Sequence, residues 1–216
     1  TTRILVGCAP CQPFSKYTSR YRKDGPIDDK WKLLYSFSRL VREVEPEIIS
    51  MENVPELGKE KVFSDFISTL EQLNYFVDWK IVYCPQYGVP QNRRRLVLLA
   101  SRLGEITLIP PLYDAEHYPT VRQAIGNLPK LKDGEHDAND LLHCACKLSA
   151  VNLKRIRQSV PGGTWRDWDE DLQLKCHKKE SGKTYGSVYG RMLWDEPSPT
   201  ITTQFYGYGN GRFGHP

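Results

Sequence analysis

Cys11 lies between two prolines in the stretch Gly7-Cys8-Ala9-Pro10-Cys11-Gln12-Pro13-Phe14-Ser15. Each proline fixes its own φ and pushes the residue before it away from helix, so the stretch reads as a stiff turn. The run Ile4-Leu5-Val6 precedes it and reads as the buried end of a strand. A thiol held there sits where open α/β sheets place their ligand crevice. Two more groups belong to the same rim: Glu52, after Ile48-Ile49-Ser50-Met51, and Arg93-Arg94-Arg95, before Leu96-Val97-Leu98-Leu99-Ala100. A thiol beside a carboxyl group and a guanidinium suits addition to an electron-poor ring. The thiolate adds to a carbon, the carboxyl group protonates a ring nitrogen, and an arginine holds an exocyclic oxygen. Cys8, directly after the apolar run, reads instead as a buried small hydrophobe.

The elements that must position these groups follow from periodicity. Apolar residues recur from Trp31 to Val44 at helical spacing, and Pro46 ends that helix. Residues 62 to 74 repeat the pattern. Val77, Trp79, Ile81 and Tyr83 alternate with polar residues, as in a half-exposed strand, whereas residues 96 to 100 form a continuous apolar run of the doubly covered kind. Strand, helix, strand, helix, strand within 100 residues predicts an α/β fold, half of a doubly wound sheet. Residues 16 to 30, rich in Lys, Arg, Ser, Gly and Asp, read as a mobile polar loop.

After Arg102 the alternation gives way to Pro110-Pro111, Pro119, Pro129, Pro161-Gly162-Gly163 and many turn residues. A boundary is expected near 103 to 120, with a smaller irregular lobe beyond it. The chain of 216 residues is 39% hydrophobic and 26% charged, an ordinary globular composition. Its formal net charge of +4 is concentrated in two stretches. Residues 91 to 102 carry four arginines and no acid; residues 147 to 166 carry Lys147, Lys154, Arg155, Arg157 and Arg166. Such patches suit a phosphate backbone. No apolar run is long enough to span a membrane and no signal-peptide pattern occurs, and six irregularly spaced cysteines fit reduced thiols.

Pro10-Cys11-Gln12, Glu52-Asn53-Val54 and Gln91-Asn92-Arg93-Arg94-Arg95 resemble three signature motifs of the DNA cytosine-5 methyltransferases, in the family's order. Arg191 and Pro199-Thr200-Ile201-Thr202 are similar to a fourth. The resemblance implies a Rossmann-like methyltransferase sheet, with S-adenosyl-L-methionine as methyl donor and double-stranded DNA as partner. Cys11 would attack C6 of a flipped cytosine, Glu52 would contact N3 and the exocyclic amine, and Arg95 would reach O2. Gln12, Ser15, Arg93, Arg191 and Thr202 would contact DNA. Pro10, Asn53 and Gln91 would support the site, and Pro10 with Leu33 would border the cofactor. The loop from Ser15 to Lys30 resembles the family's mobile loop that closes over the flipped base.

On the same basis, residues 1 to 104 are expected to form the C-terminal half of a catalytic domain. Residues 105 to 190 would be the target-recognition lobe, and 191 to 216 a return segment with a DNA-contacting motif. In that lobe Arg155, Arg157, Trp165, Arg166 and Trp168 are placed to read base edges or stack. By spacing alone, Trp165 and Trp168 read first as a packed edge. The family's glycine-rich cofactor motif would precede residue 1 and its last motif would follow residue 216, so a fragment is expected. The segment from Gly209 to Gly214 spells G-x-G-x-x-G, but no strand delivers it and no helix follows. His143-Cys144-Ala145-Cys146 and Cys176-His177 lack the spacing of a common zinc finger, and no metal is assigned. The expected protein is a monomeric, cytoplasmic, nucleoid-associated bacterial enzyme of restriction-modification type. An RNA-directed member and a non-catalytic DNA-binding half are the alternatives.

Overall fold

Helical periodicity builds the layer on which the sheet packs. Helix α1, Leu33–Val44, turns Leu34, Phe37, Ser38 and Val41 inward at i, i+3, i+4 and i+7; helix α2, Lys61–Gln72, does the same with Phe63, Phe66, Ile67 and Leu70. The rings of Phe37 and Phe66 meet at 5.7 Å. This computed structural model describes residues 1–9, 33–180, 182, 190–201 and 212–215. Its contacts divide the chain into two compact units, Thr1–Tyr83 with Arg94–Pro111 and Cys84–Arg93 with Leu112–Pro216.

In the first unit, strands β1 (Ile4–Gly7), β2 (Ile48–Asn53), β3 (Phe76–Tyr83) and β5 (Arg94–Ser101) form one sheet in the order β1-β2-β5-β3. Strand β2 is parallel to β1, but β5 runs antiparallel to both β2 and β3. The α/β class holds, in a sheet that is mixed rather than parallel. Register pairs Ile49 with Ala100, Met51 with Leu98 and Asn53 with Leu96, and all six are buried. With period two, these residues share one face, the one that packs on α1 and α2. Leu5 joins that core, and a side chain at Gly7 would meet the Phe37 ring at 2.4 Å.

The opposite face is thinly covered. Ile4 is 60% exposed and Val6 71% exposed on that face, and β1 stands first in the strand order, so it is not the buried strand its composition suggests. Along β5, buried Leu96, Leu98 and Ala100 alternate with half-buried Val97 and Leu99, which corrects the expectation of a strand covered on both faces. Arg3 ties the far end of this unit together. Its guanidinium donates to Glu47 Oε1 at 2.9 Å and to the carbonyls of Val44 and Glu45 at the end of α1. Those bonds hold the Glu47 carboxyl down at about 2.

The second unit has its own small core: Trp165, Trp168 and Leu172, with Leu148 and Ile156 against them. Helix α3, Val121–Ile125, begins in a Thr120–Gln123 capping box, and α4, Ala150–Gln158, is capped by Ser149. Short strands β4 (Gln91–Asn92) and β7 (Ser198–Pro199) pair in parallel, as do β6 (Gly190–Arg191) and β8 (Arg212–Gly214). Among the described residues no helix is long and apolar enough to cross a membrane.

Candidate active site

Parity decides which side chains meet at the rim. Glu52 is the second-last residue of β2 and pairs with Val97, so it lies on the open face, away from the helices. Arg95 is two residues before Val97 and shares that face. Because β5 is antiparallel to β2, its first residues lie beside the last residues of β2. An arginine that precedes its strand thus reaches the same rim as a carboxylate that closes one. Arg95 Nε donates to Glu52 Oε1 at 2.6 Å, and Arg95 Nη1 donates to the Arg94 carbonyl at 2.8 Å. The bond is short, as expected of a guanidinium that donates to a carboxyl oxygen.

Sequence reasoning missed a third member of this group. Gly7 pairs with Met51, so Cys8 continues the parallel register opposite Glu52. Its thiol donates to Glu52 Oε2 at 3.0 Å. Cys8 is exposed, and the expectation of a buried hydrophobe is corrected: residues 4, 6 and 8 lie on the open face, while Leu5 and Gly7 point to the core. The alternation of β1 carries that information, but only once the partner strand is known.

Asn53 is 2% exposed and faces the core side of the same strand end. Its Nδ2 donates to the Ala9 carbonyl at 2.9 Å, and its Oδ1 accepts from the Val54 amide at 2.9 Å. The first of these bonds pins the chain at residue 9, immediately before Pro10 and Cys11 in the sequence. Pro10, Cys11, Gln12, Ser15 and Thr202 lie outside the described residues, as does the whole of the Ser15 to Lys30 loop. Leu33 opens α1 and is 40% exposed.

The remaining candidates fall in the second unit. Gln91 and Asn92 form β4, where the Ser198 amide donates to the Pro90 carbonyl, Asn92 Nδ2 to the Pro197 carbonyl, and Thr200 Oγ1 to the Asn92 carbonyl. Two motifs more than 100 residues apart are thereby laced together. Arg93 is half-buried beside them. Arg191 Nη1 donates to the Ser159 carbonyl and Nε to the His215 carbonyl, which ties β6 to the end of α4 and to the last described segment.

The two basic stretches do not survive as patches of equal worth. Arg95 and Arg102 flank the length of β5, roughly 24 Å apart at about 3.4 Å per residue. Arg102 is engaged structurally, donating to the Leu73 carbonyl and to Glu45 and lying over the Tyr75 ring. In the second stretch Lys147, Lys154, Arg157 and Arg166 are exposed. Arg155 is not free to read a base, since its guanidinium donates to the Leu172 carbonyl and to Asn152 and lies over Trp168.

Trp165 and Trp168 are 6% and 4% exposed and belong to the core, so neither is a stacking platform for a base. Trp168 Nε1 donates to Ser159 Oγ at 2.7 Å, and the Trp165 ring stacks on His177 at 4.4 Å. Burial and the Arg155 charge push the His177 imidazole below its ordinary value. Among the described residues no group of three or more His, Cys, Asp and Glu side chains is arranged to hold a metal ion.

Comparison with known proteins bears on what this rim does. The family described as C-5 cytosine-specific DNA methylase matches residues 1–211. The type II methylase M.HgiDII of Herpetosiphon aurantiacus is 58% identical over 217 residues, covering 99% of this chain and 60% of its own. The type II methyltransferase M1.BsuMI of Bacillus subtilis is 31% identical over 98% of this chain and 48% of its own. The chain thus spans about half to three-fifths of the length of these relatives. A crystal structure of an Escherichia coli prophage protein, described as a DNA modification methyltransferase, superposes with a TM-score of 0.62. It is 20% identical over 92% of this chain and 62% of its own, a likeness of fold. With a family match along nearly its whole length, the chain belongs to the C-5 cytosine-specific DNA methylases.

Proposed function

We propose that this chain carries the nucleophile, the ring-binding carboxylate and the target-reading lobe of a DNA (cytosine-5) methyltransferase of bacterial restriction-modification type. The observation that carries the reading is the Arg95–Glu52 pair at the rim where Asn53 fixes Ala9, two residues before Cys11. The type II methylases among its relatives favour DNA over RNA as the substrate.

In this reading the target cytosine leaves the stack, because neither C5 nor C6 is reachable inside a duplex. The Cys11 thiolate forms a bond to C6 while Glu52, having taken up a proton as the flipped base is seated, passes it to N3. Arg95 orients Glu52 and holds O2, and Asn53 keeps the turn that presents Cys11 in place. The electron pair displaced by the addition makes C5 an enamine-type nucleophile. S-adenosyl-L-methionine, when bound, supplies the electrophilic methyl group. Loss of the C5 proton to a base restores the C5–C6 double bond and expels the thiolate of Cys11. Pro10 and Leu33 would line the donor's site, and the exposed apolar surface of Leu33 fits an uncharged wall there.

The wider assignments follow from the same reading. Residues 1 to 104 serve catalysis, 105 to 190 target recognition, and 191 to 216 the return to DNA. Gln12, Ser15, Arg93 and Thr202 contact the DNA, whereas Arg191 and Gln91 act as braces in light of the bonds they make. The enzyme works as a monomer in the bacterial cytoplasm, at the nucleoid. The test is transfer of a labelled methyl group from S-adenosyl-L-methionine by the intact protein that contains this chain. Label at C5 of cytosine in duplex DNA is expected; label confined to RNA, or none with either, would overturn the assignment.

A further inference from the structure

We propose that Cys8 is a positioning residue for Glu52, an inference that rests on the function proposed above. Three independent contacts fix where the Cys8 thiol lies. Gly7, one residue before it, pairs with Met51 and packs so closely on Phe37 that no side chain fits there. The Ala9 carbonyl, one residue after it, is held by the buried amide of Asn53. Between these anchors the thiol is delivered 3.0 Å from Glu52 Oε2.

The carboxyl group is thereby gripped on both oxygens, by Arg95 Nε on Oε1 and Cys8 Sγ on Oε2. A single contact would leave the carboxyl plane to rotate about its terminal torsion, which has a broad energy profile. Two contacts on opposite oxygens fix that plane. The second donor is neutral, so it orients the group without adding a second positive charge to the one Arg95 supplies. A group that must meet a ring nitrogen with the right geometry gains from such a fixed plane, because small misplacements of a reacting group are costly. Glu52 is only half-buried and lies on the open face of the sheet, away from the core on α1 and α2. Cys8 acts through Glu52.

Two measurements test the proposal. In the intact protein, the infrared S–H band that disappears in Cys8→Ala should lie below the free-thiol frequency and return to it in Glu52→Ala. In the intact protein, single-turnover methylation should fall about 10- to 100-fold in Cys8→Ala, the range for losing a hydrogen bond to a charged group. The KM for duplex DNA should stay unchanged, and Cys8→Ser, which restores a donor, should recover most of the rate. An S–H band that ignores Glu52→Ala, a Cys8→Ala rate equal to that of the parent, or equal losses in Cys8→Ala and Cys8→Ser would each overturn the proposal. A parent protein that transfers no methyl group would overturn the functional reading instead, and the infrared result would still decide the role of the thiol.

Discussion

Asn53 performs two tasks with one buried amide: it holds the Ala9 carbonyl and caps the Val54 N–H. Asn53→Ala leaves both partners unmet beneath the sheet, a loss of about 1–3 kcal/mol that urea titration of the chain should register. Glu52 is different in kind. Its side chain is 42% exposed and the core does not depend on it. Glu52→Gln should therefore lower the methylation rate of the intact protein roughly 10²-fold or more, with the melting temperature barely moved. Unfolding in place of slowed turnover would mark Glu52 as a structural carboxylate. Glu52 and Arg95 were legible as neighbours because each abuts an apolar run. The Cys8 thiol was not, because its side is set by pairing with a strand 44 residues away.

At the scale of elements, the end of β1 rests on α1 through Gly7. Gly7→Ala drives a methyl group into the Phe37 ring, which Phe66 backs, and should cost about 1–3 kcal/mol in thermal or urea unfolding. Two titrations report on the two units separately. The Glu47 carboxyl has its folded-state value depressed to about 2 by Arg3, so its contribution is complete above the ordinary 4.5 and is lost as pH falls toward 2. Arg3→Ala should flatten that acid limb. The His177 value is also depressed, by burial against Trp165 and Trp168 and by the Arg155 charge. The unfolded chain then binds the proton first, so stability falls as pH drops below 6.5, and His177→Phe should remove that loss. The six main elements of the first unit follow from hydrophobic period, but the direction of β5 does not. Only long-range pairing reveals that Arg94–Ser101 runs against its neighbours, and the same reversal carries Arg102 to the far end of the strand. The irregular second unit shows little periodicity; the i, i+3 spacing of Trp165 and Trp168 marks a packed edge, but not the Leu148, Ile156 and His177 side chains that pack against it.

For the molecule as a whole, the proposed function makes the exposed cations of the second unit its means of meeting DNA. Lys154 and Arg157 project from one face of α4, three residues apart, and are exposed. Duplex binding by the chain should weaken by orders of magnitude between about 50 mM and 200 mM salt. The double variant Lys154→Ala/Arg157→Ala should reduce the slope of log affinity on log salt by about 2, with equal loss on every sequence. An unchanged slope would move the phosphate contacts elsewhere. In the proposed reaction Cys11, two residues after the Ala9 carbonyl that Asn53 holds, bonds covalently to the target base. The most direct measurement is trapping of the intact protein on duplex DNA that carries 5-fluorocytosine at the target position, in the presence of S-adenosyl-L-methionine. Fluorine at C5 cannot leave as a proton does, so the adduct should persist through denaturation and map to Cys11, and Cys11→Ser should abolish it. An adduct that survives Cys11→Ser, or methylated product formed with no trappable adduct, would contradict the account.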